Sequence, residues 1–263
     1  WCWDPVENAS FIPWLTGTAL LHSAIVVEKR EALKSWTILL AIITFSLSLL
    51  GTFLVRSGIL TSVHAFAADP TRGVFVLVLL AIAVGGSLTL YAIRAPTLEP
   101  GGLFAPVSRE SVLLINNLFL TTAAATVLLG TLYPLIAEAL ELGKLSVGAP
   151  YFNTVFIPLM VPMVLLMGIG PMMAWKRSDL AGILGRLKGA LAAVAIVFAI
   201  ALAMSGVAIV DIAGAAGIAL ATWLFSSSFI EWAGRVRLFK GAPTDTWRRV
   251  RALPRASHGM TVA

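Results

Sequence analysis

The feature that most constrains this chain is a succession of long apolar runs separated by short polar connections. A helix needs roughly 20 apolar residues to cross the hydrocarbon core of a bilayer. Seven stretches approach or reach that length: residues 11–27, 36–55, 73–93, 112–136, 153–175, 190–210 and 214–233. An eighth begins near Ser257 and stops with the sequence. These runs predict an all-α, polytopic integral membrane helical bundle with about seven complete spans plus a truncated eighth. Only Asp211, Ile212 and Ala213 separate the last two complete runs, which predicts a tight helical hairpin.

Composition supports a lipid environment and excludes two other classes of protein. Only 12% of residues are charged, against about 25% in a soluble domain. The sequence pI is 9.9, but the basic residues lie in short connections rather than on one face, which argues against a nucleic-acid-binding module. The single cysteine, Cys2, excludes an internal disulfide framework and any multi-cysteine metal site.

The basic residues also predict how the bundle is oriented. Alternate connections divide the 19 lysines and arginines into sets of 16 and 3. Connections rich in Lys and Arg face the cytoplasm, so the N-terminal segment, the 56–72 connection and the 138–152 connection are expected outside. The long basic connection 234–256 is interpreted as a cytoplasmic loop that sets topology.

The first fifteen residues, WCWDPVENASFIPWL, form a tryptophan-rich segment next to the first apolar run. Tryptophan favours the membrane interface, so an aromatic belt is one interpretation. The clustering of the indoles with Asp4, Pro5 and Glu7 favours a second one, a stacking platform for a large planar apolar ligand with polar groups at its rim. The residues alone leave both interpretations open.

Three histidines are candidate ligands. His22 lies within the first apolar run, about 9 Å from its cytoplasmic end, where an ionisable group is costly and commonly functional. His64 lies in an apolar outer connection and shares that surface with the tryptophans. Imidazole is a common axial ligand of haem iron. His258 lies near the cytoplasmic surface. The alternatives are a neutral hydrogen-bonded imidazole for His22 and a solvated loop residue for His64.

The whole pattern resembles the CcmF family of haem-handling cytochrome c assembly proteins. The segment WCWDPVENASFIPWL is similar to the tryptophan-rich WWD signature, and the segments GTALLHS, GTFLVRSGILTSVHAFA, LINNLFLTTAAATVLLGTLYPLIAE and GAPYFNTVFIPLMVPMVLLMGIGP resemble successive blocks of that family. The resemblance runs in order over essentially the whole chain. It implies a WWD region with its periplasmic haem loop at residues 1–72 and a C-terminal membrane region at residues 73–263.

The resemblance also implies cofactors, partners and a location. It implies a resident b-type haem that passes an electron to a substrate haem, which arrives from the periplasmic chaperone CcmE and is joined to the CxxCH motif of apocytochrome c. Further partners are the Ccm subunits that reduce and present the apocytochrome thiols. The location is the bacterial inner membrane. The chain is a component of a haem lyase rather than a self-contained enzyme.

Individual site residues follow from the same resemblance. It implies that His22 is an axial ligand of the resident haem, that His64 is an axial ligand of the substrate haem, and that Trp1, Trp3 and Asp4 form the haem platform. Cys2 stands where the family has a bulky apolar residue. The second membrane ligand is expected just beyond Ala263, with His258 as the alternative within the chain, and the first periplasmic histidine is expected upstream.

Two other functions remain compatible with a polytopic bundle. A transporter of haem or a small molecule predicts polar residues through the midplane and inverted repeats, and neither pattern is visible. A quinone-reactive respiratory subunit also carries intramembrane histidines but does not need the tryptophan-rich segment. The absorbance spectrum of the purified protein distinguishes these classes, because a b-type haem signal excludes the plain transporter.

Overall fold

A computed structural model describes residues 3–59, 69–98, 101–205, 208–238 and 243–253, and every regular element in these ranges is helical. The α-helices are α1 (Pro5–Arg30), α2 (Lys34–Ser57), α3 (Pro70–Arg94), α4 (Arg109–Ala139), α5 (Ala149–Ile169), α6 (Leu180–Arg186), α7 (Lys188–Ser205), α8 (Ile209–Val236) and α9 (Pro243–Ala252). Short 3₁₀ turns at Ala95–Thr97 and Gly170–Met172 follow α3 and α5.

Six helical stretches of the described chain are long and apolar enough to cross a membrane: Pro5–Arg30, Lys34–Ser57, Thr71–Thr97, Arg109–Ala139, Ala149–Met172 and Ile209–Val236. The pair α6 and α7, bent by 54° at Leu187, gives a seventh if it is one broken span. The predicted all-α membrane bundle is therefore confirmed. The predicted eighth run, from Ser257, lies outside the described residues.

Helices α7 and α8 pack together, as the predicted helical hairpin requires, but the position predicted for its connection, at Asp211, Ile212 and Ala213, is wrong. Helix α7 already ends at Ser205, and α8 begins at Ile209, so these three residues lie in the first turns of α8. A carboxylate in the first turn of a helix interacts favourably with the unpaired N–H groups and the positive end of the helix dipole. Asp211, the charged residue between the two apolar runs, therefore belongs to the start of α8 and not to the connection that precedes it.

The first helix begins earlier than its apolar run. Asp4 is the N-cap of α1, and its side chain accepts a hydrogen bond from the backbone N–H of Val6 at 2.9 Å. Pro5 occupies the first helical position, where its missing N–H is no loss. Most of the tryptophan-rich segment is therefore the first turns of α1 rather than a separate loop.

The chain forms two compact units, the first comprising Trp1–Leu103 and Leu113–Met160. Within it α1 packs against α2, and α2 against α3. Helices α1 and α2 approach closely at Gly51, where a methyl group would lie 2.6 Å from the Ala9 carbonyl oxygen. Pro13, four residues after Ala9, has no N–H to donate to that carbonyl. Because Gly51 has no side chain, α2 packs directly against the Ala9 carbonyl. That carbonyl has no helical hydrogen-bond donor, since residue 13 is proline.

Two buried polar pairs join α1 to α4. The side-chain nitrogen of Asn8 donates to the hydroxyl of Thr131 at 3.1 Å. The amide of Asn117 and the hydroxyl of Ser23 are hydrogen-bonded at 2.7 Å. The two pairs lie about 22 Å apart along α1 and run in opposite sequence order along α4, so the helices are antiparallel and their register is fixed at both ends.

The second unit comprises Phe104–Val112 and Val161–Ala263. Helices α7 and α8 pack together in it, around a buried apolar cluster of Val112, Met173, Ile183, Leu187, Ala190 and Trp223. The buried carboxylate of Glu110 accepts from the backbone N–H of Lys176 through both oxygens at 3.0 Å. Arg109 lies over the Trp175 ring at 5.2 Å. These contacts hold Trp175 and Lys176, in the connection after α5, against the first turn of α4.

The contact at Gly51 generates the first prediction. Gly51→Ala should lower the free energy of unfolding by about 1–3 kcal/mol, because the added methyl group overlaps the Ala9 backbone and α1 and α2 must separate. The matched control is Gly17→Ala, whose methyl group would meet only the Thr44 side chain, at 3.6 Å. It should be neutral or stabilising by up to about 1 kcal/mol. Unfolding in mixed detergent micelles measures both, and equal destabilisation by the two variants would contradict the close contact.

Candidate functional site

His22 lies in the C-terminal half of α1 and is partly buried. The side chain of Asn117 on α4 is its hydrogen-bonding neighbour. When the Asn117 oxygen accepts from Ser23, its nitrogen donates to the backbone oxygens of Ala19 and Leu113, both at 3.2 Å. Asn117 is itself fully buried. The imidazole of His22 is thus positioned by an amide that is held in place on several sides, an arrangement typical of a ligand whose orientation matters.

Trp3 is held in an aromatic cluster at the other end of α1. Its indole stacks on Phe152 with centroids 4.9 Å apart and an interplanar angle of 11°. Phe156 meets it edge-on at 5.2 Å and Phe11 at 6.3 Å. Phe11 in turn stacks on Trp14, which is 61% exposed. Trp3 and Trp14 therefore belong to a larger aromatic surface, which includes Phe152 and Phe156 of α5.

A hydrogen bond fixes the rotation of the Trp3 ring. Its Nε1 donates to the side-chain oxygen of Asn153, 150 residues away, at 2.9 Å. The Trp3 backbone has φ 57°, in the left-handed region that a bulky residue rarely adopts. Such a conformation persists where surrounding contacts determine it, and the contacts here come from α5 and from Asn8 and Phe11 of α1.

The aromatic residues of α5 depend on a glycine of α4. A methyl group at Gly130 would lie 2.5 Å from the Tyr151 ring and 2.8 Å from the Phe152 ring. The hydroxyl of Tyr151 donates to the backbone oxygen of Thr126 at 3.2 Å. The absence of a side chain at Gly130 therefore lets α5 bring Phe152 and Asn153 close enough to meet Trp3.

The connection that carries His64 is anchored at its described base. The backbone N–H of Asp69 donates to the Arg56 oxygen at 2.9 Å, and the Asp69 side chain caps α3 by accepting from the Arg72 N–H at 3.2 Å. Ile59, at the start of the connection, lines a groove of about 360 Å³ together with Pro5. The start of α1 and the start of the His64 connection thus meet at one groove, whose other walls include Thr131, Glu138 and Lys144.

The structure describes three of the six residues predicted for the site. Trp1, His64 and His258 lie outside the described residues, whereas Trp3, Asp4 and His22 lie within them. In the described part, Trp3 and Asp4 lie together at the start of α1, and His22 lies five turns further along the same helix. Sequence reasoning did not find Asn117, Phe152, Asn153 or Phe156. Only their polarity or aromatic character inside apolar runs could have pointed to them.

Comparison with known proteins gives a consistent result. The family described as Cytochrome C assembly protein matches residues 1–61. The Cytochrome c-type biogenesis protein CycK of Rhizobium meliloti is 56% identical over the full chain, which spans 39% of that protein. The Cytochrome c-type biogenesis proteins CcmF of Pseudomonas aeruginosa and Escherichia coli are 59% and 58% identical over 76% and 67% of this chain, which spans 30% and 27% of their lengths.

A solved structure agrees with the sequence relatives. The Cytochrome c Heme Lyase CcmF superposes with a TM-score of 0.68 at 32% identity, over 95% of this chain and 36% of that one. The chain spans 27–39% of the length of the three sequence relatives named above. The match to the family model includes the tryptophan-rich segment. The chain belongs to the CcmF/CycK family of cytochrome c-type biogenesis proteins.

Proposed function

We propose that this chain binds haem at two places during cytochrome c maturation. A resident b-type haem is ligated by His22 within the membrane, and a substrate haem is held outside by His64 over a platform of Trp1, Trp3 and Asp4. The substrate arrives from the chaperone CcmE and is joined to apocytochrome c, with the thiol-reducing and apocytochrome-presenting Ccm subunits as further partners. The observation that carries the proposal is His22, an imidazole inside a membrane span and positioned by Asn117.

The residues around His22 fit an axial ligand. The side chain is only partly buried, so a planar group has access to it, and its neighbours on α1 are predominantly apolar. The oxygen of Asn117 can accept from one ring nitrogen and so leave the other nitrogen to a metal. Bound there, a b-type haem would supply one-electron chemistry. The second ligand is proposed just beyond Ala263, with His258 as the alternative.

The outer site is proposed to position its substrate through aromatic contacts. Trp3 presents an indole whose rotation Asn153 fixes and whose stacking Phe152 and Phe156 support. Aromatic rings held at fixed angles bind a porphyrin without further loss of side-chain freedom. Asp4, as the N-cap of α1, holds the start of that helix beside the platform. Thioether formation then rests mainly on the chemistry of the haem vinyl groups and the apocytochrome thiols.

The orientation is part of the proposal. The division of the basic residues into 16 and 3 favours an outer, periplasmic location for the Trp3 segment and the His64 connection. The shared groove between Pro5 and Ile59 supports placing them on one side. The bilayer is accordingly the bacterial inner membrane.

Replacement of the membrane histidine tests the resident site. His22→Ala should lower the b-type haem content of the purified full-length protein by more than about tenfold, because the iron loses an axial ligand. Leu21→Ala, at the adjacent and more exposed position, is the control and should keep its haem. Absorbance spectra per mole of protein measure both. A normal haem content in the His22 variant would reduce this residue to a packing role.

Replacement of the outer histidine separates the two sites. His64→Ala should leave the resident haem unchanged and abolish covalent cytochrome c, because in the proposed orientation His64 lies outside the membrane and His22 lies within it, nearer the cytoplasmic side. Free imidazole should restore part of the activity by occupying the vacant axial position. Haem b and covalent cytochrome c are measured in the same cells. Loss of both together contradicts the two-site proposal, and normal cytochrome c makes His64 an ordinary loop residue.

The hydrogen bond from Trp3 generates a third prediction for this function. Asn153→Leu removes the acceptor at similar size and should reduce cytochrome c formation about fivefold, the equivalent of about 1 kcal/mol. Asn153→Asp keeps an oxygen acceptor and should retain most activity. The resident haem, far along α1, should not change in either variant.

A Trp3→Phe variant shows which idea fails if Asn153→Leu is fully active. When Trp3→Phe is also fully active, the platform itself is wrong. When Trp3→Phe is impaired, the platform stands and only the positioning by Asn153 is wrong.

A further inference from the structure

Helix α9 is a short basic helix fixed beside the end of a membrane span. It occupies Pro243–Ala252, seven residues after α8 ends at Val236. The Arg249 side chain donates to the Val236 backbone oxygen at 3.5 Å, and α9 contacts α8. Because α8 is long and apolar enough to cross the bilayer, this contact holds α9 at the level where the chain leaves the hydrocarbon core.

The exposed face of α9 carries one indole ring and two guanidinium groups. Trp247 is 58% exposed, and Arg251 lies over its ring at 5.2 Å. Arg248 and Arg251 are both exposed. Arg251 follows Trp247 by four residues, so the two share one face, and Arg248 extends the positive charge to the next position. The inward-facing residues Thr246, Arg249 and Val250 are partly buried.

The one acidic residue of the helix lies away from Trp247 and Arg251. Asp245 precedes Trp247 by two residues, which places it on nearly the opposite side of the helix. It precedes Arg248 by three residues and is therefore a neighbour of that guanidinium group. Arg251 has no acidic neighbour on α9, and the helix carries three arginines against this one carboxylate. Arg237 at the end of α8 adds positive charge nearby, whereas Arg235 is paired with Glu231.

We propose that α9 is an interfacial helix that binds anionic lipid headgroups through Arg248 and Arg251 while Trp247 lies among the headgroups. An indole prefers this zone because one end is apolar and the other is wet. Guanidinium groups bind phosphate oxygens in a bidentate geometry. A lipid surface is the occupant that the position at the end of α8 favours, since it is adjacent to every copy of the span. This function is independent of haem binding.

The test follows the helix in bilayers of defined composition. An environment-sensitive fluorophore is attached at Thr244→Cys, an exposed position on the Trp247 face, in full-length protein whose other cysteines are replaced by serine. The protein is placed in phosphatidylcholine nanodiscs with rising fractions of phosphatidylglycerol and a quencher attached to lipid. Quenching should rise with the anionic fraction, and high salt should reverse it.

A matched pair of charge changes makes the result specific. Arg248→Gln with Arg251→Gln should lower the docking equilibrium constant about 25-fold, at about fivefold per arginine. Arg186→Gln with Lys188→Gln removes the same charge from another exposed basic pair of the second unit and should have little effect. Equal quenching in pure phosphatidylcholine, no quenching at any composition, or an equal effect of the two pairs would each overturn the proposal. If a variant does not reconstitute into nanodiscs, the effect of salt on the unsubstituted protein still tests the proposal. Quenching that high salt does not reverse would contradict it.

Discussion

The two buried polar pairs between α1 and α4 are the contacts on which the arrangement of the first unit depends. Lipid is as apolar as leucine, so membrane helices associate through close packing and hydrogen bonds rather than through burial of apolar surface from water. Asn8 with Thr131 and Ser23 with Asn117 provide two such bonds about 22 Å apart. Once they form, the register of the two helices is set, and the positions of Trp3 and His22 follow from it.

Glycines supply the close packing that these bonds require. Gly51 admits the Ala9 carbonyl to the surface of α2, and Gly130 admits the rings of Tyr151 and Phe152 to the surface of α4. The contact at Gly130 lies next to a residue proposed for function, because Phe152 stacks on Trp3. The aromatic cluster around Trp3 is consequently an outcome of the packing of α5 against α4.

The sequence predicted the helices well because lipid imposes a strong and simple rule. A run of about 20 apolar residues has few structures open to it other than a spanning helix. The rule does not predict at which residue a helix begins or ends. Asp211 was therefore assigned to a connection, although it lies in the first turn of α8. Nor does the rule predict which residues of different helices contact one another. His22 was found because an imidazole is unusual in lipid, whereas no local pattern connects it with Asn117 on α4. Asn153 lies 150 residues from Trp3, and no local pattern connects the two.

A single helix joins the two places proposed for haem. From Trp3 to His22 the chain advances 19 residues with Pro13 as its one interior proline, a distance of about 28 Å along the axis. The spacing is therefore set by covalent geometry and not by the packing of separate elements. An inserted or deleted residue in this stretch would turn the imidazole by about 100° relative to the indole while changing their separation by only about 1.5 Å. Related chains should for that reason hardly vary in the number of residues between the indole and the imidazole.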